Sequence, residues 1–357
     1  MRILILLHDN SHNGGSERLL NLVAKFYKDE ELTIYCLQKT TDQPWFNDKN
    51  LEVTTLSKTS YFLGILRLFW ILLFSRKKFD RSFSSSVITN GIIGILRRFR
   101  IVSIDKVVAR ESTSIFLRFK GLKLQVYKLF YKVGYKGVDL IICQTQLMNN
   151  QFLTNLSFLK NKKIVVIPNP INLQQIRESE KEVIDLNLSD DYIVAAGRLI
   201  EVKRFDLLIE SFKKLKKDHN SLKLLILGRG PLEQSLKALV SKLDLNDDVL
   251  FPGNVKNVYP YFKQAKLCVI SSEIEGFPNV LLEMMSQNTT IVSTRCAGGI
   301  EDISGIFTCE PNSIDDLENV MLKSLSQNNE KNRQLFDTFL EKRDIKNFIE
   351  ILDDALN

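Results

Sequence analysis

The chain has 357 residues, 44% of them hydrophobic and 25% charged, with 16 glycines and 8 prolines. That length exceeds one ordinary core and fits two domains, and the composition excludes disordered, collagenous and low-complexity classes. The formal charge is +7, from 49 Lys and Arg against 42 Asp and Glu, which by itself points only weakly to an acidic partner.

In chain order, an apolar run at 3–7 comes first. It is too short for a secretory h-region and has no small-residue cleavage site after it, so a buried first strand is expected. Gly14-Gly15-Ser16 follows, and paired glycines let backbone approach a ligand closely. The spacing is not G-x-G-x-x-G, so a dinucleotide fingerprint is absent. Leu19, Leu22, Val23 and Phe26 then recur at the spacing of one buried helix face. Strands are expected at 33–37, 81–84, 107–109, 140–143 and 164–167.

Between the strands expected at 33–37 and 81–84 lies YFLGILRLFWILLF at 61–74. Fourteen helical residues span roughly 21 Å, short of the hydrocarbon core of about 30 Å. Arg67 interrupts the run, and Ser75-Arg76-Lys77-Lys78 follows it. Two readings stand: a core helix of an α/β domain, or a helix lying in a membrane interface with basic residues at the headgroups.

Ile167-Pro168-Asn169-Pro170 stops regular structure. Beyond it, strands are expected at 193–196, 224–227, 249–251, 267–270 and 291–293. Phe205, Leu208, Ile209, Phe212 and Leu215 mark a helix face opposite Lys213, Lys214, Lys216 and Lys217. Strands alternating with helices imply parallel sheets covered on both faces. Boundaries are set at 1–170, 171–340 and a terminal helix at 341–357 that packs back toward the first domain.

The charge divides at the same place. Residues 1–170 hold 26 basic and 12 acidic side chains, a surplus of +14, and the remainder holds 23 and 30, a balance of −7. Between Arg97 and Lys136 there are 11 basic residues and two acidic ones, interleaved with Phe116, Phe119, Leu122, Tyr127, Phe130 and Tyr131. No helix-turn-helix or RNA-binding signature accompanies them, so an anionic membrane surface fits better than nucleic acid. The alternative is a solvated basic face without a partner. Five cysteines, Cys36, Cys143, Cys268, Cys296 and Cys309, are scattered and odd in number, as reduced buried thiols would be. With three histidines, a His-rich metal site is not expected.

The chemistry concentrates in Glu275-Gly276-Phe277-Pro278-Asn279-Val280-Leu281-Leu282-Glu283. Pro278 suits a first helical turn, where its missing N–H costs nothing. N–H groups around Asn279 and Val280 would then form an anion site. Glu275 and Glu283 would accept hydrogen bonds from sugar hydroxyls on either side of a diphosphate. The plainer reading is two exposed glutamates around an ordinary helix start. Arg198 and Lys203, in the loop after the strand at 193–196, could meet phosphate oxygens.

G-G-S-E-R at 14–18, I-P-N-P-I-N at 167–172, G-R-L…K at 197–203, G-R-G-P at 228–231 and E-G-F-P-N-V-L-L-E at 275–283 together resemble the retaining glycosyltransferases of family 4. The order and spacing match over nearly the whole chain. The resemblance implies an α/β GT-B fold, two facing Rossmann-like domains with parallel sheets and an interdomain cleft. It implies a hexosyltransferase that binds a nucleotide-diphosphate sugar mainly through the C-terminal domain and an acceptor mainly through the N-terminal one. Arg198 and Lys203 would hold the diphosphate, Glu275 the donor sugar and Glu283 the ribose. Phe277, Pro278, Asn279 and Val280 would face phosphates and sugar, Gly14 and Gly15 the donor phosphates, and Val255, within 253–258, the base. On family frequency the nucleotide is UDP. No D-x-D occurs in the chain, so metal-independent transfer is expected and no cofactor is required.

Many family members carry a His in an S-x-H stretch late in the N-terminal domain. Here it reads Ala109-Arg110-Glu111-Ser112-Thr113, with Glu111 in place of that His, and Glu111 or Arg110 is expected to contact the donor sugar or the acceptor. A basic, apolar N-terminal domain suits a lipid-linked saccharide acceptor, hence bacterial surface polysaccharide or lipopolysaccharide assembly by a cytoplasmic enzyme held peripherally on the inner face of the membrane. Rival expectations are a nucleotide-sugar 2-epimerase, a phosphorylase of related fold, which would need pyridoxal phosphate, and a non-catalytic saccharide-binding relative.

Overall fold

A computed structural model describes residues 1–10, 15–40, 53–113, 115–180 and 191–357. The chain forms two compact units, Met1–Pro170 together with Ile345–Asn357, and Ile171–Asp344.

The first unit runs β1 (Arg2–Asp9), α1 (Gly15–Phe26), β2 (Glu31–Gln38), β3 (Val53–Thr55), α2 (Tyr61–Phe74), β4 (Lys78–Ser84), α3 (Val87–Arg98), β5 (Ser103–Arg110), α4 (Ile115–Arg118), α5 (Gly121–Gly134), β6 (Leu140–Cys143), α6 (Gln146–Asn155) and β7 (Lys163–Val166). Its seven strands are all parallel, in the order β3-β2-β1-β4-β5-β6-β7. The second unit runs α7 (Leu173–Ser179), β8 (Tyr192–Ala196), α8 (Phe205–Leu215), β9 (Lys223–Leu227), α9 (Glu233–Lys242), β10 (Val249–Gly253), α10 (Tyr259–Gln264), β11 (Leu267–Ile270), α11 (Asn279–Gln287), β12 (Ile291–Thr294), β13 (Phe307–Cys309), α12 (Ile314–Leu325) and α13 (Asn332–Glu341). Its six parallel strands are ordered β10-β9-β8-β11-β12-β13. A last helix, α14 (Ile345–Leu356), returns to the first unit.

A strand covered on both faces must be apolar throughout rather than alternating, and Ile3 to Leu7 of β1 are all fully buried. In the first unit, α2, α3 and α5 build the core on one face of the sheet. On the other face α1 and α14 build a second core. Ile345, Phe348, Ile349, Leu352 and Leu356 of α14 are buried there, and Arg81 of β4 pairs with Asp353 and donates to Tyr27 Oη at 3.2 Å. In the second unit α8 buries Phe205, Leu208, Ile209, Phe212 and Leu215, the face expected from their spacing.

Three sequence expectations change. In α1 the buried face comprises Leu19, Leu20, Val23 and Ala24, while Phe26 is exposed, because the stripe rotates toward Ala24. The short strands β3 and β13, Val-Thr-Thr and Phe-Thr-Cys, carry no apolar run to mark them. The aromatics of the basic stretch turn inward: Tyr131 is fully buried, and Phe116, Phe119, Tyr127 and Phe130 pack on the core, leaving Leu122 outside. Helix α2 buries only Gly64, Leu68 and Leu72. A Cβ at Gly64 would lie 2.0 Å from the Leu37 carbonyl oxygen, so glycine lets α2 rest directly on the β2 backbone. All five cysteines are buried free thiols, with Cys36 pushed up to about 12 chiefly by burial.

Candidate active site

In an open parallel sheet, ligands bind beyond the strand C-termini where the strand order reverses direction. In the second unit that point lies between β8 and β11. The two loops leaving these strands contain the residues singled out from sequence.

After β8 the chain passes Gly197 and Arg198 into a 3-10 turn at Glu201–Lys203. Loops zip together beneath it: Gly197 N–H donates to Leu227 O at 2.9 Å, Gly228 N–H to Gly253 O at 2.8 Å and Leu199 N–H to Arg229 O at 3.1 Å. Gly228, at φ +132°, has no room for a side chain, since a Cβ would stand 2.0 Å from Gly197 O. Lys203 folds its stem over Gly197. Its Nζ donates to Glu275 Oε1 at 2.5 Å, across 72 residues of sequence.

The β11 loop fixes the other partner. Glu275 N–H donates to Cys296 O at 2.7 Å, and Ser272 Oγ donates to the same Oε1 at 3.0 Å. Ser271 Oγ donates to Lys203 O at 2.8 Å and Thr294 Oγ1 to Ser272 O at 2.6 Å. The loops after β8, β11 and β12 therefore converge on one pair of opposite charges. Glu275 Oε2 has no protein partner among the described residues, which leaves it an acceptor for a hydroxyl. Arg198 is exposed, and its guanidinium makes no ion pair among the described residues.

Helix α11 starts at Asn279, with Pro278 at its N-cap rather than in its first turn (φ −75°, ψ 106°). The purpose is kept, because the leading N–H groups of any α-helix lack intrahelical acceptors and favour an anion. Phe277 is buried and Val280 packs on the same core. Glu283, the fifth residue of α11, is half-buried. Val255 is half-buried after β10. Sequence reasoning missed Ser271, Ser272 and Thr294, and small hydroxyl residues closing two apolar strands were the available signal.

In the first unit the order reverses between β1 and β4. Gly14 lies outside the described residues, and Gly15 opens α1 as its first residue. Glu17, quoted in the motif but given no role, is buried: Ser16 Oγ donates to it at 2.5 Å, and burial raises its carboxyl above the ordinary range. Arg110, at the end of β5, is buried too. It donates to Ser85 Oγ at 2.9 Å and to Asn169, the asparagine of I-P-N-P, while its Nε has no partner. Burial lowers its pKa to about 10, against the pull of Glu111 and Glu17.

The expectation that Glu111 reaches a sugar is corrected. Its side chain is fully buried. Tyr131 Oη donates to Oε2 at 2.7 Å, Tyr135 Oη donates to Oε1, and Asn90 Nδ2 reaches Oε1 at 3.3 Å. Burial raises the carboxyl, with these hydrogen bonds opposing. It cross-links helices α3 and α5 to the end of β5, turned into the unit by the same backbone that points Arg110 at Ser85.

Residues 176–337 match the family model described as glycosyl transferases group 1. An uncharacterized glycosyltransferase of Methanocaldococcus jannaschii is 34% identical over 189 residues, 52% of this chain and 46% of the relative. The N-acetylgalactosamine-N,N'-diacetylbacillosaminyl-diphospho-undecaprenol 4-alpha-N-acetylgalactosaminyltransferase of Campylobacter jejuni is 33% identical over 202 residues, 56% of this chain and 54% of the relative. The match thus spans about half the length of each. Among solved structures, Anabaena HepE in complex with UDP and glucose superposes with a TM-score of 0.80 at 15% identity, over 100% of this chain and 99% of that one. That likeness carries the fold, and the two parallel sheets are of the GT-B class. The matched stretch covers nearly all of the second unit and includes Arg198, the Lys203–Glu275 pair and the start of α11, so it is this unit that is similar to the glycosyl transferases group 1.

Proposed function

We propose that the chain is a retaining hexosyltransferase that moves a sugar from a UDP-sugar to a lipid-linked saccharide during assembly of bacterial surface polysaccharide or lipopolysaccharide. The observation that carries this is the Lys203–Glu275 pair at the β8/β11 reversal. The HepE structure contains UDP and glucose, and the name of the Campylobacter relative gives a diphospho-undecaprenol acceptor. Both ligand classes come to this chain by likeness.

On this reading the donor diphosphate meets Arg198, Lys203 and the α11 N-terminus, while Glu275 Oε2 accepts a donor-sugar hydroxyl. The bond between the sugar C1 and the diphosphate oxygen breaks, and an acceptor hydroxyl oxygen bonds to C1 on the same face. The hydroxyl proton passes to the leaving phosphate oxygen, so the nucleoside diphosphate departs with its charge offset by the two cations. No metal is required for that charge balance. The enzyme works at the cytoplasmic face of the membrane, held there peripherally through its basic first unit.

Lys203→Ala and Glu275→Ala should each lower kcat/KM by about 100-fold or more and leave the thermal transition in place. UDP-sugars should raise the transition by mass action, and transfer should persist after dialysis against EDTA. Wild-type rates in both variants would remove the site from the mechanism.

A further inference from the structure

Helix α2 has an outer face that water does not suit. Phe62 is 66% exposed, Trp70 55% and Phe74 75%, with Leu63, Leu66, Ile71 and Leu73 also exposed. A helix apolar all round belongs in a core or in lipid, and α2 reaches its own core only through the Gly64, Leu68 and Leu72 stripe. Its single charge, Arg67, is tied to Leu56 O at 2.6 Å. Helix α5 packs on the same core and adds a second stripe, with Leu122, Val126, Leu129 and Val133 exposed.

The charges around both helices have one sign. No acidic residue occurs at 53–79 or 112–138. Arg76, Lys77 and Lys78 follow α2, and Arg118, Lys120, Lys123, Lys132 and Lys136 are exposed on and around α5. A second copy seated on this face would set like charges against each other, whereas an anionic lipid surface would complement them. The start of α2 also lies at the strand ends of the first unit, where the Tyr61 ring stacks on His8 of β1 with centroids 4.4 Å apart.

We infer that α2 is a bilayer-inserting helix that seats its Phe62–Phe74 outer face among acyl chains of an anionic membrane, with the lysines of α5 at the headgroups. This deepens, and rests on, the proposed attachment at the membrane face. The insertion sets the C-terminal end of β1 beside the lipid surface. No helix among the described residues is long and apolar enough to cross a membrane, so α2 enters one leaflet only.

The test uses the full chain carrying Trp45→Phe, which leaves Trp70 as the sole tryptophan, and vesicles of phosphatidylglycerol with phosphatidylethanolamine. Trp70 emission should shift blue and be quenched by acyl-chain-brominated lipid. Phe62→Ser/Leu66→Ser/Phe74→Ser should weaken vesicle partitioning by at least about tenfold, with an unchanged circular-dichroism melt and unchanged transfer to a water-soluble acceptor. Lys123→Gln/Lys128→Gln/Lys132→Gln should weaken partitioning and flatten its salt dependence. Pelleting without Trp70 quenching, and undiminished in the α2 variant, would overturn insertion while sparing peripheral attachment. No pelleting at low salt would overturn both. A dimer abolished by the α2 variant would make this face a self-association surface instead. Bilayer insertion in a chain without transferase activity would sink the proposed reaction and leave the inference standing.

Discussion

Lys203 and Glu275 meet at 2.5 Å although each was singled out from its own motif for a different part of a donor. On the proposed reading, an incoming diphosphate would compete with Glu275 for the lysine, and its arrival would free Oε1 beside the Oε2 that meets the sugar hydroxyl. Glu111 shows the opposite case. Its place in the sequence resembles a site residue, yet Tyr131, Tyr135 and Asn90 hold it in the interior. Its carboxyl is raised in the folded protein, so its contribution to stability is full below the unfolded value near 4.5 and is lost as pH rises through the folded value. Glu111→Gln should then gain on the wild type as pH rises from 5 to 8, by at most about 1.4 kcal/mol per pH unit. Thermal melts of the two proteins across that range measure the difference, and a variant that loses ground to the wild type with rising pH would show that Glu111 is buried as a carboxylate. Individual site residues were legible because their chemistry is local. Which of them faces a ligand depends on strand ends and helix packing far along the chain.

Among elements, α8 was legible because its five buried side chains recur at helical spacing. The α2 helix was only half legible. Its composition left core and lipid readings open, and the structure divides the helix between them, with three residues inward and most of the remainder outward. The small residues that make close packing possible carry no signal of their own, because their partners lie elsewhere: Gly64 serves Leu37, and Gly134 of α5 serves Gly91 of α3. Gly64→Ala should cost about 1–3 kcal/mol, since the obstructing atom is a strand carbonyl that cannot swing aside. A urea midpoint indistinguishable from wild type would mean that α2 lifts freely from β2. At Gly197, with φ +158°, the neighbour is the flexible Lys203 stem, so Gly197→Ala should add backbone strain and, on the proposed reading, also lower donor affinity.

For the whole molecule, the break near Pro170 coincides with the change of charge sign and with the division into two units. The last helix does not belong to the unit that precedes it. Five apolar side chains of α14 complete the core behind the first sheet, and Asp353 holds Arg81. Ending the chain at Asp344 should lower the calorimetric transition of the first unit and spare that of the second. At about 1.5–3 kcal/mol for each buried large apolar side chain, the loss is comparable with the whole stability of an ordinary domain. A single unshifted transition would refute that division of the core. The arrangement also sets a schedule for synthesis. The ribosome must add the 174 residues of 171–344 before α14 exists, about 9–35 s at ordinary elongation rates. Throughout that interval the nascent first unit carries an uncovered apolar groove, a natural client surface for a chaperone, while the second unit, encoded later, is free to finish folding first.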